Sequence, residues 1–207
     1  MGAAPTRLLL ASHNAGKLGE LRALLSDMPV ELCDALSLGL PVPEEPAATF
    51  VENALLKARH CARLTGLPTL ADDSGLMVDA LGGGPGLHTA RYAGPGASAQ
   101  DNIAKLLAAL GQRAPAERGA TFVAVVVFLE SADDPLPLIA QGLWRGRILD
   151  QPTGSEGFGY DPIFFDPVHN LGAAQMAAEL KDRISHRGQA LAALRTGLVE
   201  RFGLSPG

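Results

Sequence analysis

Apolar residues fall into short blocks along this chain, some spaced like strands and others like helices. Arg7 to Ser12 is a compact apolar run and predicts a buried strand, followed by a polar turn, His13-Asn14-Ala15-Gly16. From Lys17 to Leu25 a helix is predicted, with Leu18, Leu21, Leu24 and Leu25 on one face. Val30 to Cys33 reads as a second strand. The Pro- and Gly-rich stretch from Leu36 to Ala48, which carries Glu44 and Glu45, reads as a loop. Thr49-Phe50-Val51-Glu52 has the spacing of a capping box and opens a helix reaching about Thr65. Its apolar stripe is Phe50, Val51, Ala54, Leu55, Ala58, Cys61 and Ala62. Lys57 lies at the rim of that stripe, while Arg59 and Arg63 are expected on the opposite, solvated face.

Leu67 to Ala71 predicts a strand that delivers Asp72-Asp73-Ser74-Gly75 into a tight turn. Leu76 to Leu81 and a glycine-rich turn, Gly82 to Gly86, come next. Ser98, with Asp101 at the box position, caps a helix running to about Leu110. Thr121 to Glu130 and Leu138 to Arg147 read as antiparallel neighbours joined by Ala132-Asp133-Asp134-Pro135. A short helix is expected near Ala173 to Leu180, and a last one from Arg187 to Phe202, ended by Gly203. Strands and helices mixed in this way predict an α/β protein on a mixed sheet, in one two-lobed domain over residues 1–207.

Composition narrows the function classes. With 47% hydrophobic residues the chain can bury a real core, and its 24 glycines and 15 prolines call for many connections between short elements. A formal charge of −5 argues against a nucleic-acid surface, which needs a basic stripe. Any polyanion must therefore meet a local cluster of cations. Cys33 and Cys61 have no metal or redox spacing and read as small apolar residues. Leu8-Leu9-Leu10-Ala11 is too short for a signal segment or a membrane span, so a cytoplasmic protein with no membrane partner is expected.

Four segments carry candidate chemistry. The pair Asp72-Asp73 offers hard oxygen donors of the kind Mg²⁺ takes together with substrate phosphates. Asp-Asp also occurs in ordinary turns, so the pair gains weight from its company. Successive side chains of a strand point to opposite faces, so the two acids are not expected to hold one ion together. One should be catalytic; the other should be structural, paired to a lysine or capping the turn. Ser12-His13-Asn14-Ala15-Gly16-Lys17 spans a strand-to-helix junction, where free backbone N–H groups, polar side chains and a lysine suit an anion. It is not a Walker A loop: the first glycine is missing, and Leu18 stands where Ser or Thr would bind the metal.

The third segment is Gly154 to Phe165. Among seven phenylalanines, two tyrosines and one tryptophan in the chain, Phe158, Tyr160, Phe164 and Phe165 crowd into eight positions. The glycines around Phe158 let backbone approach a flat ligand, and an exposed ring stacks on a base. Phe164 and Phe165 read instead as core. The fourth, Lys181-Asp182-Arg183-Ile184-Ser185-His186-Arg187-Gly188, gathers cations and donors in an acidic chain.

Taken in order, these segments resemble the inosine triphosphate pyrophosphatase family. The matching stretches are Ser12-x-Asn14-x-x-Lys17, Phe50-x-Glu52-Asn53-Ala54-x-x-Lys57-Ala58, Ala71 to Leu76, Pro85-Gly86-x-x-x-x-Arg91-Tyr92, Gly157 to Phe164 and Ile184 to Gly188. One departure is Ala174-Gln175-Met176, which lacks a carboxylate common there. The resemblance implies an elongated, mixed, twisted sheet with flanking helices in two lobes and a nucleotide cleft between them, in a homodimer. It implies hydrolysis of noncanonical purine nucleoside triphosphates (ITP, dITP, XTP) to the monophosphate and pyrophosphate. Carried over by residue, Ser12, His13, Asn14, Ala15, Gly16 and Lys17 would hold the triphosphate. Glu44 and Asp73 would bind magnesium, Mg²⁺, with Asp73 also the proton acceptor for water, and Ser74 would contact substrate. Lys57 would stabilise developing charge. Phe158, Gly159, Tyr160 and Asp161 would receive the base, and Lys181, His186 and Arg187 would complete the site, Arg187 as donor to a 6-oxo group. Two readings stand beside this one: a pyrophosphatase for other nucleotides, and a nucleotide sensor without turnover.

Overall fold

The structure is a computed structural model that describes residues 6–202. Seven strands form one sheet in the order β2-β1-β3-β4-β5-β6-β7. They are β1 (Thr6–Leu10), β2 (Val30–Asp34), β3 (Thr69–Val78), β4 (Gly119–Leu129), β5 (Leu138–Ile148), β6 (Phe164–Asp166) and β7 (Leu171–Gly172). β1 is parallel to β2 and β3, whereas β6 is antiparallel to β5 and β7, so the sheet is mixed as expected. The helices are α1 (Ala15–Leu24), α2 (Phe50–Thr65), α3 (Ala99–Leu110), α4 (Ala178–Ile184) and α5 (His186–Phe202). The side chain of Leu24, and Gly203 as the stop of the last helix, lie outside the described residues.

Contacts divide the chain into two compact units. Unit 1 takes in residues up to Asp73, Ala124–Gly142 and Arg187 onward; unit 2 holds Ser74–Val123 and Leu143–His186. In unit 1 the period-2 alternation of each strand supplies two cores. Leu8 and Leu10 of β1, Leu70 of β3, and Ala124, Val126 and Phe128 of β4 pack with Leu18 and Leu21 of α1 and Leu191 and Leu194 of α5. The intervening Leu9, Ala71, Val125 and Val127 pack with Ala54, Ala58 and Cys61 of α2. Unit 2 has its own core of Leu76, Val78, Ile103, Leu106, Phe122, Trp144, Ile163 and Phe164.

Helix starts follow local sequence. Thr49 accepts from the Glu52 N–H at 3.3 Å, but the Glu52 carboxylate meets the Thr49 hydroxyl at 2.7 Å rather than its N–H, so only half of the expected box forms. The box at Ser98 and Asp101 is complete. Gly66, at φ 69°, ends α2 in the left-handed conformation, where a side chain is disfavoured.

Three expectations are corrected. The tight turn at Asp72 to Gly75 does not exist: β3 continues through both acids to Val78, because Lys17, Lys57 and Arg187 form ion pairs with the carboxylates and Leu76 and Val78 each have a core to enter. The helix expected near Ala173 to Leu180 is two pieces, a single 3-10 turn at Ala173–Gln175 and α4, separated by extended Met176 and Ala177. Gln175 makes that turn by accepting from the Gly172 N–H at 3.0 Å, a contact that needs an acceptor oxygen and no charge. Arg59 is not solvated like Arg63; it donates to the carbonyls of Ala132 at 2.7 Å and Asp134 at 3.3 Å.

Candidate active site

Strand alternation sends the two adjacent acids of β3 to different helices. Leu70 belongs to the core under α1 and α5, and two residues on Asp72 turns to the same helices. Its Oδ2 lies 3.1 Å from Lys17 Nζ and 3.5 Å from Arg187 Nε. Ala71 faces α2, and so does Asp73, whose Oδ1 accepts from Lys57 Nζ at 3.0 Å. Asn53, one turn before Lys57 on α2, sits with its amide nitrogen 3.5 Å from Asp73 Oδ2. The loop before α2 brings Glu45 to 3.4 Å from the same Lys57 ammonium.

Burial makes these pairs electrostatically strong. The Asp72 side chain is 1% exposed; burial alone would raise its pKa, but Lys17, Arg187 and Lys57 together hold it well below the usual carboxylate range. Burial would depress Arg187, but Asp72 and Glu20, which its guanidinium also meets, raise it. For Lys17, burial outweighs Asp72 and the pKa falls. Asp73 behaves oppositely to its neighbour: burial pushes its carboxyl up, against the pull of Lys57 and Lys17. Lys57 is raised, since Asp72, Asp73 and Glu45 outweigh its burial. Asp72 is thus a fixed anion among cations, and Asp73 a more basic carboxylate with one direct lysine.

Ser12 to Lys17 is a strand-to-helix junction as expected, although the helix starts at Ala15, two residues before the expected Lys17, because Asn14 caps it. Asn14 caps α1 by accepting from the Lys17 N–H at 3.1 Å, and the Ser12 hydroxyl accepts from the Asn14 N–H at 3.3 Å. His13 ties the junction to the following loop through Nε2 and the Leu40 carbonyl, 2.8 Å apart. Ala15 and Gly16 form the first turn of α1, leaving its N–H groups at the end of the helix.

In unit 2, Phe158 stands between Gly157 at φ 78° and Gly159 at φ 62° and is 38% exposed. The Asp161 carboxylate organises this turn: Oδ2 accepts from the Phe158 N–H at 2.9 Å and from Lys181 Nζ at 2.6 Å. Lys181 Nζ also lies 5.5 Å from the Phe158 ring centroid, within cation–π range. Tyr160 turns inward; its ring is 3% exposed, its hydroxyl donates to the Thr89 carbonyl at 3.1 Å, and burial pushes the phenol far above its ordinary pKa. Phe164 is core, whereas Phe165 is half-buried under the Arg147 guanidinium, 4.3 Å from its ring centroid. His186 is buried against Phe122 and Trp144.

Within unit 1 the structure brings together Lys17, Lys57, Asp72, Asp73 and Arg187; within unit 2 it brings together Phe158, Asp161 and Lys181. Ser74 lies half-buried on β3. Glu44 is exposed, and it is Glu45 that reaches Lys57. Arg187, expected as a donor to a base, has its guanidinium on Glu20 and Asp72. Glu20 and Asn53 were not read from the sequence as site residues, although each carried a signal. Glu20 lies three positions after Lys17 and Asn53 four before Lys57, spacings that share a helix face.

Asp73 and Glu45 present only carboxylate oxygens, and among the described residues no three His, Cys, Asp or Glu side chains cluster as a protein-only cage. Such a set fits Mg²⁺, which takes one or two carboxylates and completes its shell with water and phosphate.

A mixed α/β sheet that buries two acids among lysines and an arginine describes a class, and its membership is specific. The chain belongs to the Ham1 family, whose sequence model matches residues 8–197. Among its relatives is the dITP/XTP pyrophosphatase of Xylella fastidiosa (strain 9a5c), 56% identical over 189 residues that cover 91% of this chain and 95% of that protein. The dITP/XTP pyrophosphatase of Methylococcus capsulatus (strain ATCC 33009 / NCIMB 11132 / Bath) is 55% identical over 192 residues, 93% of this chain and 96% of its own. The solved structure of a HAM1 protein from Coxiella burnetii matches with a TM-score of 0.87 at 46% identity, covering 94% of this chain and 99% of that chain.

Proposed function

We propose that this protein is a nucleoside-triphosphate pyrophosphatase that hydrolyses noncanonical purine nucleotides, dITP, ITP and XTP, to the monophosphate and pyrophosphate. The observation that carries this reading is the division of labour on β3, where Asp72 is neutralised by two cations and Asp73 is left the more basic. The names of its relatives, which match nearly the whole chain, supply the substrate class.

Lys17 and the N–H groups of α1 would take the phosphates, with Asp72 holding the lysine in place. Lys57, kept charged by Asp72, Asp73 and Glu45, would offset charge that grows as the bond between the α- and β-phosphates breaks. Asp73 would accept the proton of the attacking water, a task its raised pKa favours. Mg²⁺ would be held by Asp73 with a carboxylate of the Glu44-Glu45 pair. When bound, it lowers the pKa of water and neutralises phosphate charge. The base would stack on Phe158, whose turn Asp161 and Lys181 hold, while Ser74 and His186 would contact the nucleotide. We also place the enzyme in the cytoplasm as a homodimer; both cysteines are free thiols, as a reducing compartment allows.

Asp73→Asn tests the assignment. It should lose about 10²–10³ in kcat for dITP with Mg²⁺ while the melting temperature stays close to wild type. Near-normal pyrophosphate release by this variant would remove Asp73 as the base.

A further inference from the structure

Unit 2 lays the His186 imidazole on a floor of rings. The imidazole is 4.8 Å from Phe122 of β4, with planes 9° from parallel, and 6.5 Å from Trp144 of β5 at 17°. Phe122 and Trp144 are 6.1 Å apart at 26°, and Phe164 tilts against them at 4.6 and 4.9 Å. Apolar packing of this kind is forgiving, because parallel rings can slide and a buried indole can turn over if nothing holds its N–H.

One polar contact fixes the floor. Trp144 Nε1 donates to Asp166 Oδ2 at 2.9 Å, and Asp166 is 2% exposed. That carboxylate is immobilised from its other side: Oδ1 accepts the N–H groups of Val168 at 2.7 Å and His169 at 3.2 Å, and Oδ2 also lies 2.9 Å from His169 Nδ1. We propose that Asp166 and Trp144 are positioning residues for the nucleotide site. The carboxylate locks the indole, and the locked ring pair sets the plane in which His186 presents its imidazole to the nucleotide. Neither residue touches substrate; both act through His186. The inference rests on the reading of His186 as a nucleotide contact.

A carboxylate is required at position 166. An asparagine has one amide oxygen for two sets of donors: if it faces the indole N–H, its own NH₂ opposes the backbone N–H groups, and the reverse orientation opposes the indole. Trp144→Phe leaves a ring in the stack but removes the donor.

The test is steady-state dITP hydrolysis with Mg²⁺ by wild type, Asp166→Asn, Trp144→Phe, His186→Ala and the Asp166→Asn/His186→Ala double variant. Loss of one hydrogen-bonding contact corresponds to about a tenfold rise in KM for His186→Ala. Asp166→Asn and Trp144→Phe should each raise KM about three- to tenfold with kcat within about twofold, the pattern of weakened ground-state binding. In the His186→Ala background, Asp166→Asn should add less than about 1.5-fold, because coupled residues are non-additive. An equal effect of Asp166→Asn with and without His186 would make Asp166 a structural residue only and overturn the inference. So would unchanged KM in Asp166→Asn and Trp144→Phe while His186→Ala raises it. An unchanged KM in His186→Ala would sink the reading of His186 itself, and the inference with it. Trp144→Phe carries the test by itself if Asp166→Asn unfolds at the assay temperature.

Discussion

Asp72 and Asp73 share a chemistry and a backbone but have their pKa values shifted in opposite directions, because one residue of strand period gives them different neighbours. Asp72 is held between Lys17 and Arg187, with its side chain 1% exposed. Replacing it by Asn leaves Lys17 without its anion and Arg187 with Glu20 alone, and breaking a buried pair in this way costs about 3–5 kcal/mol. Urea unfolding of Asp72→Asn at neutral pH should show a loss of that size, in contrast to the stable Asp73→Asn. The sign of its pH dependence follows from the lowered pKa in the folded state. Stability from Asp72 is fully present above the ordinary carboxylate value of about 4 and is lost only as pH falls below that value towards the folded one. The stability gap between wild type and Asp72→Asn should therefore be flat from about pH 8 to about pH 5 and narrow only in stronger acid; a gap that narrows above about pH 5 would show that the pair is not the cause.

At the scale of elements, what is local in sequence was legible and what depends on distant partners was not. The periodicity of α2, its start at Thr49 and the full box at Ser98 all depend on residues within a few positions of each other. The turn expected after Ala71 failed because Asp and Gly favour turns only when nothing else satisfies them; here Lys17, Lys57 and Arg187, remote in sequence, hold the acids in a straight strand. The helix near Ala173 failed similarly, since the Gln175 contact to Gly172 closes a short turn that the apolar pattern does not reveal. The Phe158 turn was legible because its glycines are structural necessities. A Cβ on Gly157 would collide with Asp161 Oδ2 and lie 2.8 Å from Lys181 Nζ, and φ there is +78°. Gly157→Ala should thus break the Asp161–Lys181 support and impose about 1–3 kcal/mol of strain on the turn. The expected outcome is a raised KM for dITP with a smaller change in kcat, read by initial rates; an unaltered KM would remove this turn from base binding.

Across the whole molecule, the motifs placed the chain correctly in a family, and the seven-stranded mixed sheet agrees with the α/β expectation. The residue assignments were less complete. Lys17, Lys57 and the two aspartates assemble in unit 1, yet Glu20, Asn53 and Glu45 join them without having been singled out as ligands or partners. A motif shows which side chains recur in order, whereas pairing depends on which helix faces which side of β3. The acidic net charge of −5 coexists with this cation cluster because Lys57 and Arg187 are buried, and Lys17 is half-buried, beside acids rather than spread over a surface. Among the described residues no helix is long and apolar enough to cross a membrane.

The central claim is chemical: cleavage between the α- and β-phosphates of 6-oxo purine nucleotides. Pyrophosphate and monophosphate release should be compared for dITP, ITP, XTP, GTP, ATP and dTTP under one Mg²⁺ concentration, with a chelator control. The account expects stoichiometric pyrophosphate and monophosphate from dITP, ITP and XTP, with kcat/KM at least about 10²-fold above that for ATP and dTTP, as a site built on polar base contacts allows. Equal turnover of all six, release of orthophosphate instead of pyrophosphate, or tight nucleotide binding with no product would contradict it.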